Sequence, residues 1–280
     1  MKKDNKTQLV KVKFFIPQRL KFVQNKLNAV NVIFNAIEKA DWIKFAGFLD
    51  KKSLKENISN LLGDNLPTSI NYFNVNATSL KDKIEIDILS AVKKCQKILS
   101  LPAENLPIYM LIFPWFPESK KTDEQFGGVN AYAPYYRTMH LFINLKTFTK
   151  KSIKETIAHE WNHLAYYNAH PNKQYSVLDR IIMEGLAEIF REEKFNGKPS
   201  AWSTALNKEE SEAELKKIKT NLSSKSFKVY EDIAYGRGKF KKWTGYSIGY
   251  LLVKSFRQKH KNMSWKELIS IPAEEFLLTY

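Results

Sequence analysis

Cysteine is almost absent: Cys95 is the only one in 280 residues. A lone thiol excludes an internal disulfide framework and any metal site built on several thiolates, and it fits a reducing compartment. Long hydrophobic runs are missing too. Lysines or prolines interrupt every apolar stretch well short of the ~20 residues that cross a bilayer, so no membrane span is expected. The first residues, MKKDNKTQLVKVKFFIPQ, are basic but hold no sustained apolar segment ahead of Pro17, and they do not read as a secretion signal. Neither a repeat period nor a low-complexity linker is visible. These absences together predict a soluble, cytoplasmic, globular protein.

Arginine is the other scarcity. Only six of the 45 basic residues are arginine, although 29 acidic residues leave a formal net charge of +16. Basic side chains are densest between Lys216 and Lys261, where GRGKFKKW (236–243) adds aromatics, and such a surface would suit an anionic partner. Specific contacts to nucleic acid, however, favour the planar, bidentate guanidinium over the ammonium group. The lysines are therefore read as solvated faces, and nucleic acid is not expected as a partner.

What the chain does have is apolar material, 44% hydrophobic and 13% aromatic, enough to bury a substantial core in one large domain or two small ones. Helical periodicity runs through FVQNKLNAVNVIFNAI (22–37) and DILSAVKKCQKIL (87–99), separated by the turn-forming GDNLPTS (63–69). PIYMLIF (107–113), GGVNAYA (127–133) and MHLFINL (139–145) are short, rich in β-branched or aromatic residues, and bounded as strands are. The expected organisation is a mostly helical region over 1–104 and a second domain over 105–280 with a small sheet, an α+β fold. Helices return at Ser152-Ile153-Lys154-Glu155, which has the capping-box form, and this helix is expected to run to about Asn168. A further helix within 176–199 opens at Ser176-x-x-Asp179 and closes before Gly197.

The first of these helices carries His159-Glu160-Trp161-Asn162-His163. Two histidines four apart leave one helix face a turn from each other, so both imidazoles can reach one metal ion, while Glu160 beside the first reaches the water rather than the metal. Zinc then needs a third protein ligand. His170 does not supply the metzincin pattern, which would put glycine at Tyr166 and histidine at Ala169, and it is read as a surface residue near the Pro171 turn. Glu184 follows His163 by 21 positions, room for a turn and a helix packed back on the first, with Gly185 allowing close approach. Glu188, one turn on, could accept a bond from the far nitrogen of a ligating ring. Alone, the two glutamates read as ordinary exposed helix residues; after an upstream H-E-x-x-H they read as ligand and support.

HEWNH followed by MEGLAE resembles the gluzincin arrangement of thermolysin and the gluzincin aminopeptidases. IAHEWNH, MEGLAEIF and WTGYSIGYLLVKSF (243–256) together resemble the bacterial YjaZ-like zinc-dependent proteases, across roughly residues 127–259. The resemblance implies a zincin-like α+β fold, one zinc ion per chain held by His159, His163 and Glu184, Glu160 as general base, and a peptide or protein substrate. Gluzincins commonly supply a downstream tyrosine or histidine to the oxyanion. GYSIGY offers Tyr246, preferred here over Tyr250, the alternative being that both are core aromatics. Asn130-Ala131-Tyr132 resembles the thermolysin-like edge strand that aligns substrate, the alternative being a plain hairpin strand. The paired glycines before it would let a backbone approach closely. His140, among alternating strand residues, is read as structural. Zinc-dependent peptide-bond hydrolysis is the leading expectation. The runner-up is a catalytically idle zincin-like binding protein whose basic surface engages an anionic partner.

Overall fold

Two apolar runs, IYMLIFP and TMHLFI, form the middle of the only sheet among the described residues. The computed structural model describes residues 10–15, 26–39, 51–62, 77–101, 107–135 and 137–280. Within them lie β1 (Val10–Phe14), β2 (Ile108–Pro114), β3 (Val129–Tyr135) and β4 (Thr138–Ile143), in the order β1-β2-β4-β3. β2 is parallel to both β1 and β4, and β3 is antiparallel to β4. Every residue of β4 and all but Tyr109 of β2 are buried, as continuous apolar strands covered on both faces must be. β1 alternates half-buried and exposed residues, the pattern of an edge strand. It was not anticipated: VKVKF alternates apolar and basic residues at the two-residue period of a strand, but it is only five residues long and was read with the mostly helical first hundred.

Eleven α-helices accompany the sheet among the described residues: α1 (Lys26–Lys39), α2 (Lys51–Leu62), α3 (Ala77–Ile98), α4 (Lys120–Phe126), α5 (Lys150–Ala169), α6 (Val177–Phe195), α7 (Lys208–Ile218), α8 (Phe227–Tyr235), α9 (Thr244–Lys259), α10 (Trp265–Leu268) and α11 (Ala273–Thr279). The fold is thus α+β and mostly helical. The turn expected at 63–69 and the start of the helix expected at 22–37 lie outside the described residues. No described helix is long and apolar enough to cross a membrane.

The chain clusters as two compact units, residues 1–96 with 101–160, and 97–100 with 161–280. In the first, Val30, Ile33, Phe34 and Ile37 of α1 and Leu54, Ile58 and Leu62 of α2 recur at helical spacing and bury with Leu111, Phe113 and Phe142 of the sheet. Cys95 is fully enclosed, and burial pushes its thiol well above the usual range, so it is an inert core residue. His140 is fully buried and meets the Phe113 ring edge-on at 5.6 Å, the structural role expected of it. In the second unit α6 is buried nearly all round in its middle, with every residue from Ile181 to Phe190 buried, Glu184 and Glu188 included, and its principal neighbour is α9. The division between the units falls inside α5, between Glu160 and Trp161.

Candidate metal centre

The helix that bears HEWNH starts one turn earlier than expected. Thr149 and Ser152 exchange side-chain caps: the Ser152 N–H donates to Thr149 Oγ1 at 3.0 Å, and the Thr149 N–H donates to Ser152 Oγ at 2.9 Å. Glu155 instead faces Lys151 at 3.4 Å, an i,i+4 pair. The sequence pattern was right in kind and misplaced by a turn, because a serine hydroxyl at the third helical position can do the work usually given to glutamate. Downstream, Trp161 fastens α5 by donating from Nε1 to Leu99 O at 2.8 Å, and Ile157, Ala158, Leu164 and Ala165 are buried.

α6 opens as read from the sequence. Ser176 caps it in a full capping box with Asp179, and the helix ends at Asn196 in the left-handed conformation. Glu184 is the eighth residue of this helix and is buried. One ligand atom each from His159, His163 and Glu184 lie within 4.8 Å of one another, a group that could hold a metal ion. His163 Nε2 stands 3.6 Å from Glu184 Oε2. Two imidazoles and a carboxylate are a donor set that suits Zn2+ and leaves a fourth position for a small ligand. Glu160 is also buried, next to His159 on α5. His170 takes no part. It is half-buried rather than a surface residue, because its Nε2 bonds Ile269 O at 2.9 Å and its ring packs on Tyr166, with centroids 4.4 Å apart.

The second oxygen of Glu184 has its own partner. Tyr230, on α8, donates its hydroxyl to Glu184 Oε1 at 3.1 Å. The rings of Tyr235 and Tyr246 lie 6.2 Å apart. Burial first, and the Glu184 charge second, raise all three phenols above their ordinary range, so they stay protonated and able to donate. Tyr246 therefore stands in the electrostatic neighbourhood of Glu184, while Tyr250 is engaged elsewhere, with Glu192 at 3.2 Å and Lys254 at 2.9 Å. Tyr230 and Tyr235 were not found from the sequence. Ser226 and Gly236 bracket α8 as N-cap and left-handed C-cap, a legible signal for the helix, but no spacing rule tells that its tyrosines reach a glutamate 46 positions upstream.

Glu188 is almost wholly buried. Its Oε2 accepts from Arg191 Nη2 (2.9 Å), Ser200 Oγ (2.6 Å) and Ser203 Oγ (2.8 Å), and its Oε1 from Trp202 Nε1 (3.3 Å). Three of these donors, Ser200, Ser203 and Trp202, lie beyond α6, so the carboxylate fastens that segment onto the helix. Gly185 permits a close approach, but to α9 rather than α5: a Cβ on it would meet Gly249 O at 2.1 Å, and one on Gly249 would meet Ile181 O at 2.1 Å. This crossing carries Tyr246 on α9 past Glu184 on α6.

Asn130 and Ala131 lie on β3, at an edge of the sheet, opposite Phe142 and Leu141 of β4. The glycines before them serve the chain itself. Gly127 is the left-handed C-cap of α4, and Gly128, at φ 76°, leaves no room for a Cβ beside the Phe148 backbone, 2.6 Å away.

A family described as predicted Zn-dependent protease (DUF2268) matches residues 86–278. The chain belongs to this family. The matched span takes in α5, α6, α8 and α9, and so the whole candidate centre of this DUF2268 chain. Over 250 residues, 88% of this chain and 89% of the relative, it is 26% identical to the uncharacterized protein YjaZ of Bacillus subtilis (strain 168). A second relative from that organism, the uncharacterized protein YjfC, is 28% identical over 149 residues, which are 48% of each chain. No solved structure matches.

Proposed function

We propose that this chain is a cytoplasmic zinc-dependent peptidase of the gluzincin type, with a zincin-like arrangement of its HExxH helix, glutamate helix and edge strand. The observation that carries the reading is the convergence of His159, His163 and Glu184 ligand atoms within 4.8 Å, in a chain of a family described as predicted Zn-dependent protease. In this reading His159 and His163 of α5 and Glu184 of α6 hold one zinc ion. When bound, zinc polarises the scissile carbonyl and lowers the pKa of water from ~15.7 to ~7.

The protein's own groups supply the rest. Glu160, buried beside His159, takes the proton of the attacking water and returns it to the departing amine. The Tyr246 hydroxyl, kept protonated by burial and by Glu184, donates to the oxyanion that develops on the carbonyl. Tyr230 holds Oε1 of Glu184 and leaves Oε2, on the His163 side, to the metal. The β3 edge at Asn130 and Ala131 would pair with the main chain of a peptide substrate as an added strand. Glu188, one turn after Glu184, would accept a hydrogen bond from the far nitrogen of a ligating histidine.

Glu160→Gln tests the assignment, because it keeps size and shape but cannot accept a proton under working conditions. The variant is expected to keep its zinc, one ion per chain, and its melting temperature while losing nearly all peptide hydrolysis. His163→Ala is expected to lose both metal and activity. A Glu160→Gln protein that cleaves peptides at the parent rate would reduce HEWNH to a metal-binding helix.

A further inference from the structure

Arg180 is one of only six arginines in the chain, and it stands one helical turn before Glu184 on α6. Its guanidinium lies against three aromatic rings, with centroid distances of 5.8 Å to Tyr175, 5.1 Å to Phe227 and 5.7 Å to Tyr230. Among the described residues that guanidinium is in no hydrogen bond and no ion pair, and its Nε is buried without a partner. The nearby carboxylates are committed elsewhere. Asp179 takes Lys173 Nζ at 2.6 Å and the Ser176 N–H and hydroxyl, and Glu184 faces His163 and Tyr230.

This is an unusual state for arginine. Stacking on rings satisfies the faces of the guanidinium, but its five N–H donors lie in the plane and point outward from the edge, in a fork that matches a carboxylate. Stacking also fixes the fork, so little conformational freedom is lost when an anion docks. One of the three rings belongs to Tyr230, whose hydroxyl bonds the glutamate of the candidate centre, so the fork lies one ring away from that centre. An aromatic side chain of the same helix, Phe227 (50% exposed), remains open to solvent, and it offers apolar contact to whatever chain passes there.

We propose that Arg180 is the specificity-determining residue of the peptidase: it binds a carboxylate of the substrate, so that the preferred peptides present either a free C-terminus or an acidic side chain near the scissile bond. The proposal rests on the peptidase reading above. The carboxylate docks on the edge of the guanidinium while Tyr175, Phe227 and Tyr230 hold its faces.

The test uses calorimetric binding of three peptidyl hydroxamates to the zinc-loaded full chain. They share their metal-binding head and differ only at the far end: a free C-terminal carboxylate, a C-terminal amide with a glutamate side chain, or a C-terminal amide with glutamine. One of the two charged probes is expected to bind ~10-fold or more tightly than the neutral probe, and which one it is distinguishes the C-terminus from the side chain. Arg180→Met, which keeps an apolar stem against the rings, is expected to erase that preference while leaving the neutral probe's affinity and the melting temperature unchanged. Arg180→Lys is expected to retain part of the preference, as a point charge without the fork. Tight, equal binding of all three probes, or a preference that survives in Arg180→Met, would overturn the assignment and leave the metal centre standing. Failure of every hydroxamate to bind would overturn the peptidase reading, and the Arg180 proposal with it.

Discussion

At the scale of one residue, Glu184 is held as the proposed metal centre would require. Its two oxygens are distinguished before any ion arrives: Oε1 accepts from Tyr230, and Oε2 faces His163. A carboxylate held in this way loses little freedom on coordination, and partners of this kind typically matter ~10- to 100-fold in metal affinity. Tyr230→Phe, which removes one oxygen atom, is therefore expected to weaken zinc binding by ~10- to 100-fold in competition with a chelator. Tyr246→Phe should leave zinc affinity alone and lower kcat by roughly 10²–10³ with little change in KM, as loss of a donor that acts only on the transition state does. Equal effects of the two variants on zinc affinity would merge their roles. The candidate triad could be picked out in the sequence because its residues are spaced by helix geometry: four apart on α5, then 21 on to α6. Tyr230 was not, because a side chain that acts through tertiary packing leaves no mark in local spacing.

At the scale of elements, one feature fixes α6 and another the end of α5. The α6–α9 crossing depends on two glycines whose missing side chains face each other's helix backbone at 2.1 Å. Gly249→Ala pushes a methyl into Ile181 O, and overpacking of this kind costs ~1–3 kcal/mol or more. It is expected to lower stability in urea unfolding by about 3 kcal/mol and, by moving α9, to slow catalysis as well. The second feature is the bond from His170 to Ile269 O at the end of α5. Burial, the larger cause, depresses the His170 pKa despite that bond, so the folded protein prefers the neutral ring. Its contribution is therefore fully present above the ordinary ~6.5 and declines as pH falls below it, because the unfolded chain takes up the proton first. Asp179 behaves alike at lower pH. Burial alone would lift its carboxyl, but Lys173 and Ser176 outweigh it and hold it below its usual value, so its share is lost only as pH falls below ~4. Unfolding free energies measured from pH 7.5 down to 5 should thus fall, and His170→Phe should flatten that slope. Local chemistry was readable at this scale where the cap lies beside the helix it starts, as at Ser176. It was misread at Ser152, where Thr149 three residues earlier competes for the same role, and β1 was missed because its partner is nearly a hundred residues away.

At the scale of the whole molecule the open question is the charge of +16. Many of the basic residues that crowd the last third of the sequence have local occupations. Lys217 pairs with Glu214 at 2.6 Å and Lys241 with Glu210 at 2.7 Å, and Lys228 is 3.5 Å from Asp232. Arg237 lies over Tyr235, Lys239 over Phe240 and Lys242 over Trp243. The more exposed pairs, at Lys241 and Lys228, contribute only ~0–1 kcal/mol each, but the pairs describe lysines engaged locally on a surface rather than a stripe aligned for phosphates. The aromatics of GRGKFKKW pack on the chain's own cations and on neighbouring rings, as Trp243 does on Tyr246 at 5.5 Å. Association with nucleic acid should then be a diffuse counterion effect, whose observed affinity falls steeply and linearly on a log scale with salt. The measurement is fluorescence anisotropy of mixed-sequence DNA and RNA titrated with the zinc-loaded chain at low and at physiological salt. Weak binding at low salt that vanishes at physiological salt is the expected result. Submicromolar binding that persists at physiological salt would instead favour a protein that uses the basic surface to hold an anionic partner, and would make that partner, rather than a peptide bond, the first object of study.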